Sequence, residues 1–301
     1  LRNPLGQGRV LLALARLGGG DDASLADRAE RYLRPLGARR LAAEAALLAS
    51  TARPVPPVAI HCLGGFAVLR AGEPVPVGEW KSRKARDLVK ILIARDGRPV
   101  HRGVLLDLLW PDDDPAHTAS RLSVALSTAR AVLDPAKAHP AGWFVGADAD
   151  TVWLDADHVD VDVLRFTDLA GRAAAERKEG PSPAAIDALT AAEVAYVGDA
   201  FPEDPYEDWT VSRRERARAA YIWVARTLAD DSAAGGDTGT AVRCYLRVIE
   251  HDPYDEHAHL GIIRAHLAAG QQGEARRAYQ AYAVRMDDIG VEAAPFPTVR
   301  S

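Results

Sequence analysis

Long apolar runs are missing from this sequence. No stretch approaches the roughly 18 consecutive apolar residues that a membrane helix needs, so no membrane partner is expected. Sulfur is scarce: there is one Met, and the two cysteines, Cys62 and Cys244, lie in segments of different character without metal-ligand spacing. That argues against a disulfide framework and a cysteine zinc site, and both thiols are expected to be reduced, buried small hydrophobes. No Gly-rich loop runs into Lys and Ser or Thr; Gly6-Gln7-Gly8 and Gly18-Gly19-Gly20 lack the context of a phosphate cradle. The start, Leu1-Arg2-Asn3, has neither Met nor a signal-peptide pattern, which leads to the expectation of a cytoplasmic piece of a longer protein. No nucleophile, base and orienting acid form a recognisable set, so neither enzyme activity nor a cofactor is expected.

Charge is present but unevenly spread. The net value of −5 argues against a nucleic-acid partner until it is resolved along the chain. Residues 81–102 carry Lys81, Arg83, Lys84, Arg86, Lys90, Arg95, Arg98 and Arg102 against only Asp87 and Asp96. From Ala156 to the end there are 25 acidic and 16 basic residues. The acidic excess therefore belongs to the C-terminal part, and a positive patch stands upstream of it. Patches rather than totals make the field that a phosphate backbone feels.

Periodicity divides the chain. Residues 1–52 read as helices, from Leu1 to Leu17 and from Leu25 to Ser50 with an interruption at Pro35-Leu36-Gly37, as at the end of a helical, TPR-like array. Residues 53–57, Arg53-Pro54-Val55-Pro56-Pro57, are an extended linker, since consecutive prolines forbid helix. Residues 58–156 begin with strands at Val58–Leu63 and Phe66–Leu69 and a short edge strand at Val75–Val77. Three helices follow. The first is capped by Ser82 and ends near Gly97, the second carries Val104, Leu105, Leu108 and Leu109, and the third runs from about Ala116 to Leu133. Trp143–Val145 and Thr151–Leu154 around Asp148-Ala149-Asp150 then predict a hairpin. Residues 157–297 are helical, and Gly236, Ala241 and Tyr245 recur 34 positions later as Gly270, Ala275 and Tyr279, the tetratricopeptide period. The fold class is mainly α with a small β part: a winged helix-turn-helix followed by an all-α TPR-like domain.

The third helix carries the chemistry. Its buried stripe of Leu122, Leu126, Ala129 and Leu133 leaves His117, Ser120, Arg121, Val124, Ser127 and Thr128 on the opposite face at 100° per residue. Short polar groups, one Arg and one β-branched apolar residue, without an acid, suit a major groove: Arg bonds guanine bidentately, Ser and Thr reach bases or phosphates, and Val meets a thymine methyl. An ordinary solvated helix face has the same look in isolation, and three helices plus a hairpin favour the groove. Lys81, Ser82, Arg83, Lys84 and Arg86 open the first helix, and Arg102 stands near the start of the second, where backbone N–H groups and side chains jointly hold phosphate.

These residues, in this order, resemble the antibiotic-regulator-type (SARP-like) bacterial transcriptional activators, which join an OmpR-like winged helix to a bacterial transcriptional activator domain. The matching stretches are Leu63-Gly64-Gly65-Phe66, Lys81 to Leu88, Leu109-Trp110-Pro111-Asp112 and Arg121 to Ser127, then Asp160-Val161-Asp162, Gly198-Asp199 and Asp252 to Ala258. They span roughly residues 58–297. The resemblance implies that the third helix is a recognition helix for double-stranded DNA and that Asp112, Asp113 and Asp114 lie in a loop touching RNA polymerase. It also implies a helical domain that promotes a homodimer on direct repeats. The sequence departs from the family's pattern at Ser120 and Ser123, and the hairpin tip carries no basic residue, which shifts the expected phosphate contacts toward Lys81–Arg86.

Two acidic clusters are read as structural rather than metal-binding. Asp155, Asp157, His158, Asp160 and Asp162 end a strand and cap the next helix, and His257 and His259, two apart beside Glu256, face different directions. Trp209, Tyr221 and Trp223 are expected in the core. A competing reading treats the chain as a TPR-type interaction scaffold with weak or no specific DNA binding, and the acidic C-terminal half favours it.

Overall fold

A computed structural model describes residues 3–17, 22–50, 57–113, 115–178 and 180–297. The chain forms two compact units: residues 1–167 with 195–217, and residues 168–194 with 218–301. The expected Pro-rich linker lies outside the described residues except for Pro57.

The first unit opens with three helices, α1 (Pro4–Arg16), α2 (Asp22–Leu33) and α3 (Arg39–Ser50). Asn3 caps α1 by accepting the Gly6 N–H at 3.0 Å, and Pro4 follows where its missing N–H costs nothing. Leu12, Ala29, Leu33, Ala42 and Ala45 close a small core of their own.

Next comes the mixed part. Strands β1 (Val58–His61), β2 (Ala67–Arg70) and β3 (Glu73–Pro74) lead to a 3-10 turn at Val77–Trp80 and helix α4 (Arg83–Ala94). Strand β4 (Val100–His101), helices α5 (Arg102–Leu109) and α6 (Pro115–Leu133), and the hairpin β5 (Val145–Ala147) and β6 (Thr151–Leu154) complete this part. The edge strand sits earlier than Val75–Val77: Val75 N–H still reaches the Val68 carbonyl at 2.8 Å, but Pro76 has no N–H to give and the chain winds into the 3-10 turn.

Neither β4 nor one further strand was anticipated. β7 (Val159–Val161) pairs parallel to β1, giving a sheet ordered β3-β2-β1-β7 beside a second sheet ordered β4-β6-β5. Asp162 then begins helix α7 (Asp162–Arg177) with its carboxylate turned back on β1, accepting the N–H groups of Cys62 at 2.9 Å and Leu63 at 3.1 Å. The acidic run around Asp160 is thus a strand and a helix start rather than a cap alone.

Residues 195–217 pack into this unit as well. Phe201 N–H bonds the Cys62 carbonyl at 2.8 Å, Gly64 N–H bonds the Asp199 carbonyl at 2.9 Å, and Leu63 bridges Ala200. The contact demands glycines on both sides, for a Cβ on Gly198 (φ +156°) would sit 3.0 Å from the Cα of Gly64.

In the second unit α8 (Pro183–Ala195), α10 (Thr238–His251), α11 (Glu256–Ala268) and α12 (Gln272–Asp288) pack with the later turns of α7 and of the long helix α9 (Asp208–Ala234). The 34-residue repeat is physical. Gly236 and Gly270 both adopt left-handed backbone (φ +76° and +72°) at a helix end, and Ala241 and Ala275 are both fully buried. Tyr245 is buried and Tyr279 half-buried, each tied by its hydroxyl, to Asp230 at 2.5 Å and to the Ala294 carbonyl at 3.0 Å. Asp255 caps α11 by accepting the Ala258 N–H at 2.8 Å and also pairs with Arg226. Trp209 and Tyr221 are buried, whereas Trp223 is exposed because α9 turns that face outward.

Candidate nucleic-acid interface

Helix α6 is two-faced as its spacing requires. Leu122, Leu126, Ala129 and Leu133 are buried, and α6 packs on α4 and α5. On the other side Ser120, Arg121, Val124 and Ser127 are exposed and Thr128 is half-buried; Val124 is 63% exposed. An apolar β-branched side chain left in solvent amid short polar groups contributes nothing to the core, which makes this face available to a partner. His117 lies in α6, but its side chain falls outside the described residues, as does Asp114 entirely.

Arg121 forms an ion pair with Asp113 in the loop before α6, so the exposed face of α6 and the acidic loop meet. Asp112 and Asp113 are exposed. Because both partners are about half exposed, the pair contributes little and holds Arg121 only loosely.

The basic run is arranged around the start of α4. Lys81 is exposed with left-handed backbone (φ +50°), and Ser82 caps the helix by accepting the Ala85 N–H at 3.3 Å. Arg83 is 68% exposed and 3.7 Å from Asp87, and Lys84 and Arg86 are half-buried. Burial pushes the Asp87 carboxyl up, against the opposing pull of Arg83 and Lys84.

Lys90 departs from the sequence expectation. It is 1% exposed, its ammonium held at 2.5 Å by both Glu203 and Asp204 and 4.8 Å from the centre of the Phe66 ring. It therefore belongs to the interior and not to the positive patch, since a buried ammonium persists only when paired.

Arg102 is turned toward the hairpin. Its Nε and Nη2 donate to the Asp148 carbonyl at 3.2 and 2.9 Å, and its N–H to the Asp150 carbonyl at 2.9 Å. The tip is built on Asp148, which accepts the N–H groups of Asp150 (2.9 Å) and Thr151 (2.6 Å). Those amides hold its carboxyl below the usual range. Its charge thus serves the turn. Arg130, which sequence reasoning passed over, reaches from α6 to the Val145 carbonyl at 2.9 Å and so ties α6 to the hairpin. Its position on the flank of α6, nine residues after Arg121, was the available signal.

Elsewhere the acidic clusters are occupied locally: Asp155 contacts His158 at 3.1 Å, Asp160 pairs with Arg165, and His257 bonds Asp230 at 2.8 Å while His259 bonds the Pro253 carbonyl at 2.9 Å. Both cysteines are buried and neither is in a disulfide. Among the described residues no helix is long and apolar enough to cross a membrane.

Three helices closed by a two-stranded wing, followed by tetratricopeptide-like helices, make up a winged helix-turn-helix fold with a helical repeat domain after it. Residues 161–298 match the family described as "Bacterial transcriptional activator domain". The chain is 26% identical over 234 residues to the regulatory protein AfsR of Streptomyces coelicolor, a match covering 77% of this chain and 23% of that protein. It thus spans about a quarter of that relative's length. A solved structure, Mycobacterium tuberculosis EmbR in complex with a low-affinity phosphopeptide, shares the fold at 21% identity and a TM-score of 0.63, over 80% of this chain and 62% of that one. By these matches residues 161–298 are similar to the bacterial transcriptional activator domain, and the chain as a whole is similar to part of a regulatory protein.

Proposed function

We propose that this chain binds specific double-stranded DNA through the outward face of α6 and activates transcription by recruiting RNA polymerase. The observation that carries the reading is that face: exposed Ser120, Arg121, Val124 and Ser127 on a helix whose opposite stripe, Leu122, Leu126, Ala129 and Leu133, is buried. Arg121 reads a base edge, Ser120, Ser127 and His117 reach bases or phosphates, and Val124 and Thr128 offer methyl groups. Lys81, Ser82, Arg83, Lys84 and Arg86 hold the phosphate backbone, and they set register rather than sequence preference. Arg102 positions the wing instead of touching phosphate with its whole guanidinium.

The acidic loop of Asp112, Asp113 and Asp114 serves as the polymerase contact, and the helical repeats promote a homodimer on direct repeats. The match of residues 161–298 to the bacterial transcriptional activator domain and the helical architecture support both assignments.

DNase footprinting of genomic fragments retained by the protein tests the reading. Protected direct repeats, with affinity falling steeply as salt rises, are expected because neutralised phosphates release counterions. Uniform, unprotected fragments together with stable capture of a protein partner would instead favour the scaffold reading.

A further inference from the structure

Beside the groove face lies a cleft of about 590 Å³ between the C-terminal half of α6 and the segment that leads to the wing. That volume falls in the range of small-molecule sites. Leu126 and Phe144 give it an apolar floor, with Pro135 and Pro140 along the wall. Arg130, Lys137 and His139 supply basic groups. His139 is stacked on Trp143 at 5.7 Å and set edge-on to Phe144 at 5.1 Å, which fixes one planar wall.

The charge of the cleft is unbalanced. Among the described residues neither Arg130 nor Lys137 makes an ion pair, and Arg130 spends only its Nε, on the Val145 carbonyl. The one acid in the lining, Asp134, already accepts the N–H groups of Ala138 and His139, both at 2.9 Å, and contacts His139 Nδ1 at 3.5 Å. An apolar floor under two cations without counterions is complementary to a small organic anion with an aromatic or aliphatic body.

We propose that this cleft binds a small amphipathic organic anion, an aromatic carboxylate, sulfonate or phosphate ester, and that its occupancy weakens DNA binding. The second half follows from Ser127, which lines the cleft and also belongs to the exposed face of α6. A ligand seated there covers the end of the face that DNA needs. This control rests on the groove reading given above; the binding site does not.

The test uses the whole chain and 8-anilinonaphthalene-1-sulfonate as probe, titrated by fluorescence without DNA. Lys137→Asn removes one cation at a position of left-handed backbone (φ +52°) that Asn tolerates, and Ala131→Trp fills the cleft from an exposed position on α6. We expect saturable binding, weakened about tenfold by Lys137→Asn, as for loss of one charged hydrogen bond, and abolished by Ala131→Trp, with both variants melting as the parent does. N-phenyl-1-naphthylamine, the uncharged analogue, should bind more weakly. Equal affinity for the two probes, or a titration that neither substitution alters, overturns the site. If Lys137→Asn lowers DNA affinity but leaves the probe titration untouched, the cations serve a DNA phosphate and the proposal is wrong. On a footprinted fragment, saturating probe should lower the parent's DNA affinity and leave that of Ala131→Trp unchanged; no effect on the parent overturns the control. A chain that binds no DNA defeats the groove reading, while the DNA-free titration still decides the site.

Discussion

Lys90 and Asp148 carry opposite lessons about charge. Lys90 sits in the basic run yet is nearly inaccessible, neutralised by Glu203 and Asp204. Replacing it with Met leaves Asp204 buried without a counter-ion, which costs about 3 kcal/mol or more. Lys90→Met should therefore lower the melting temperature by several degrees, and a calorimetric scan that matches the parent would refute the buried pair. Asp148 is at the exposed tip of the wing, where the Thr151 amide first and the Asp150 amide next hold its carboxyl below the ordinary 3.8. A folded value depressed below the unfolded one contributes stability that is fully present above the unfolded value and lost as pH falls through the folded one. The stability difference between the parent and Asp148→Ala, measured in urea, should thus be constant near neutrality and shrink below about pH 4. A difference unchanged down to about pH 2 would contradict the account of the turn.

At the scale of elements, local pattern and long-range pairing divide what could be read. Helix α6 was legible because four apolar residues at helical spacing define a buried stripe, and the exposed face follows by geometry alone. The repeat was legible because two glycines and two alanines serve the same steric purpose 34 residues apart. Strand β7 was not, for it has three residues and its partner β1 lies about a hundred positions away. Lys90 escaped for the same reason: its carboxylates are 113 and 114 residues distant, and nothing near it in the chain marks it as buried. Gly198 shows what such pairing requires. Gly198→Ala must push a Cβ against Gly64 from a backbone conformation that Ala avoids, a cost of about 2 kcal/mol. Denaturation midpoints of the variant should fall accordingly, and an unshifted midpoint would mean that the contact between residues 63–64 and 198–200 is dispensable.

For the molecule as a whole, charge is spread unevenly along the chain. Basic groups gather at the start of α4 while the acidic excess lies after residue 156. Residues 195–217, which sequence pattern alone groups with the later helices, are held in the same compact unit as the strands and α4–α6. In the proposed function α6 reads sequence and the start of α4 reads only phosphate. Fluorescence anisotropy on the footprinted duplex and on a scrambled duplex of equal length, with the parent, Arg121→Ala and Lys84→Ala, tests it most directly. Arg121→Ala should weaken the footprinted duplex by about 1–3 kcal/mol and narrow its advantage over the scrambled one. Lys84→Ala should weaken both alike and reduce the salt slope by about one. Equal losses on both duplexes for Arg121→Ala, or no loss at all, would contradict the assignment of α6 as the helix that reads DNA.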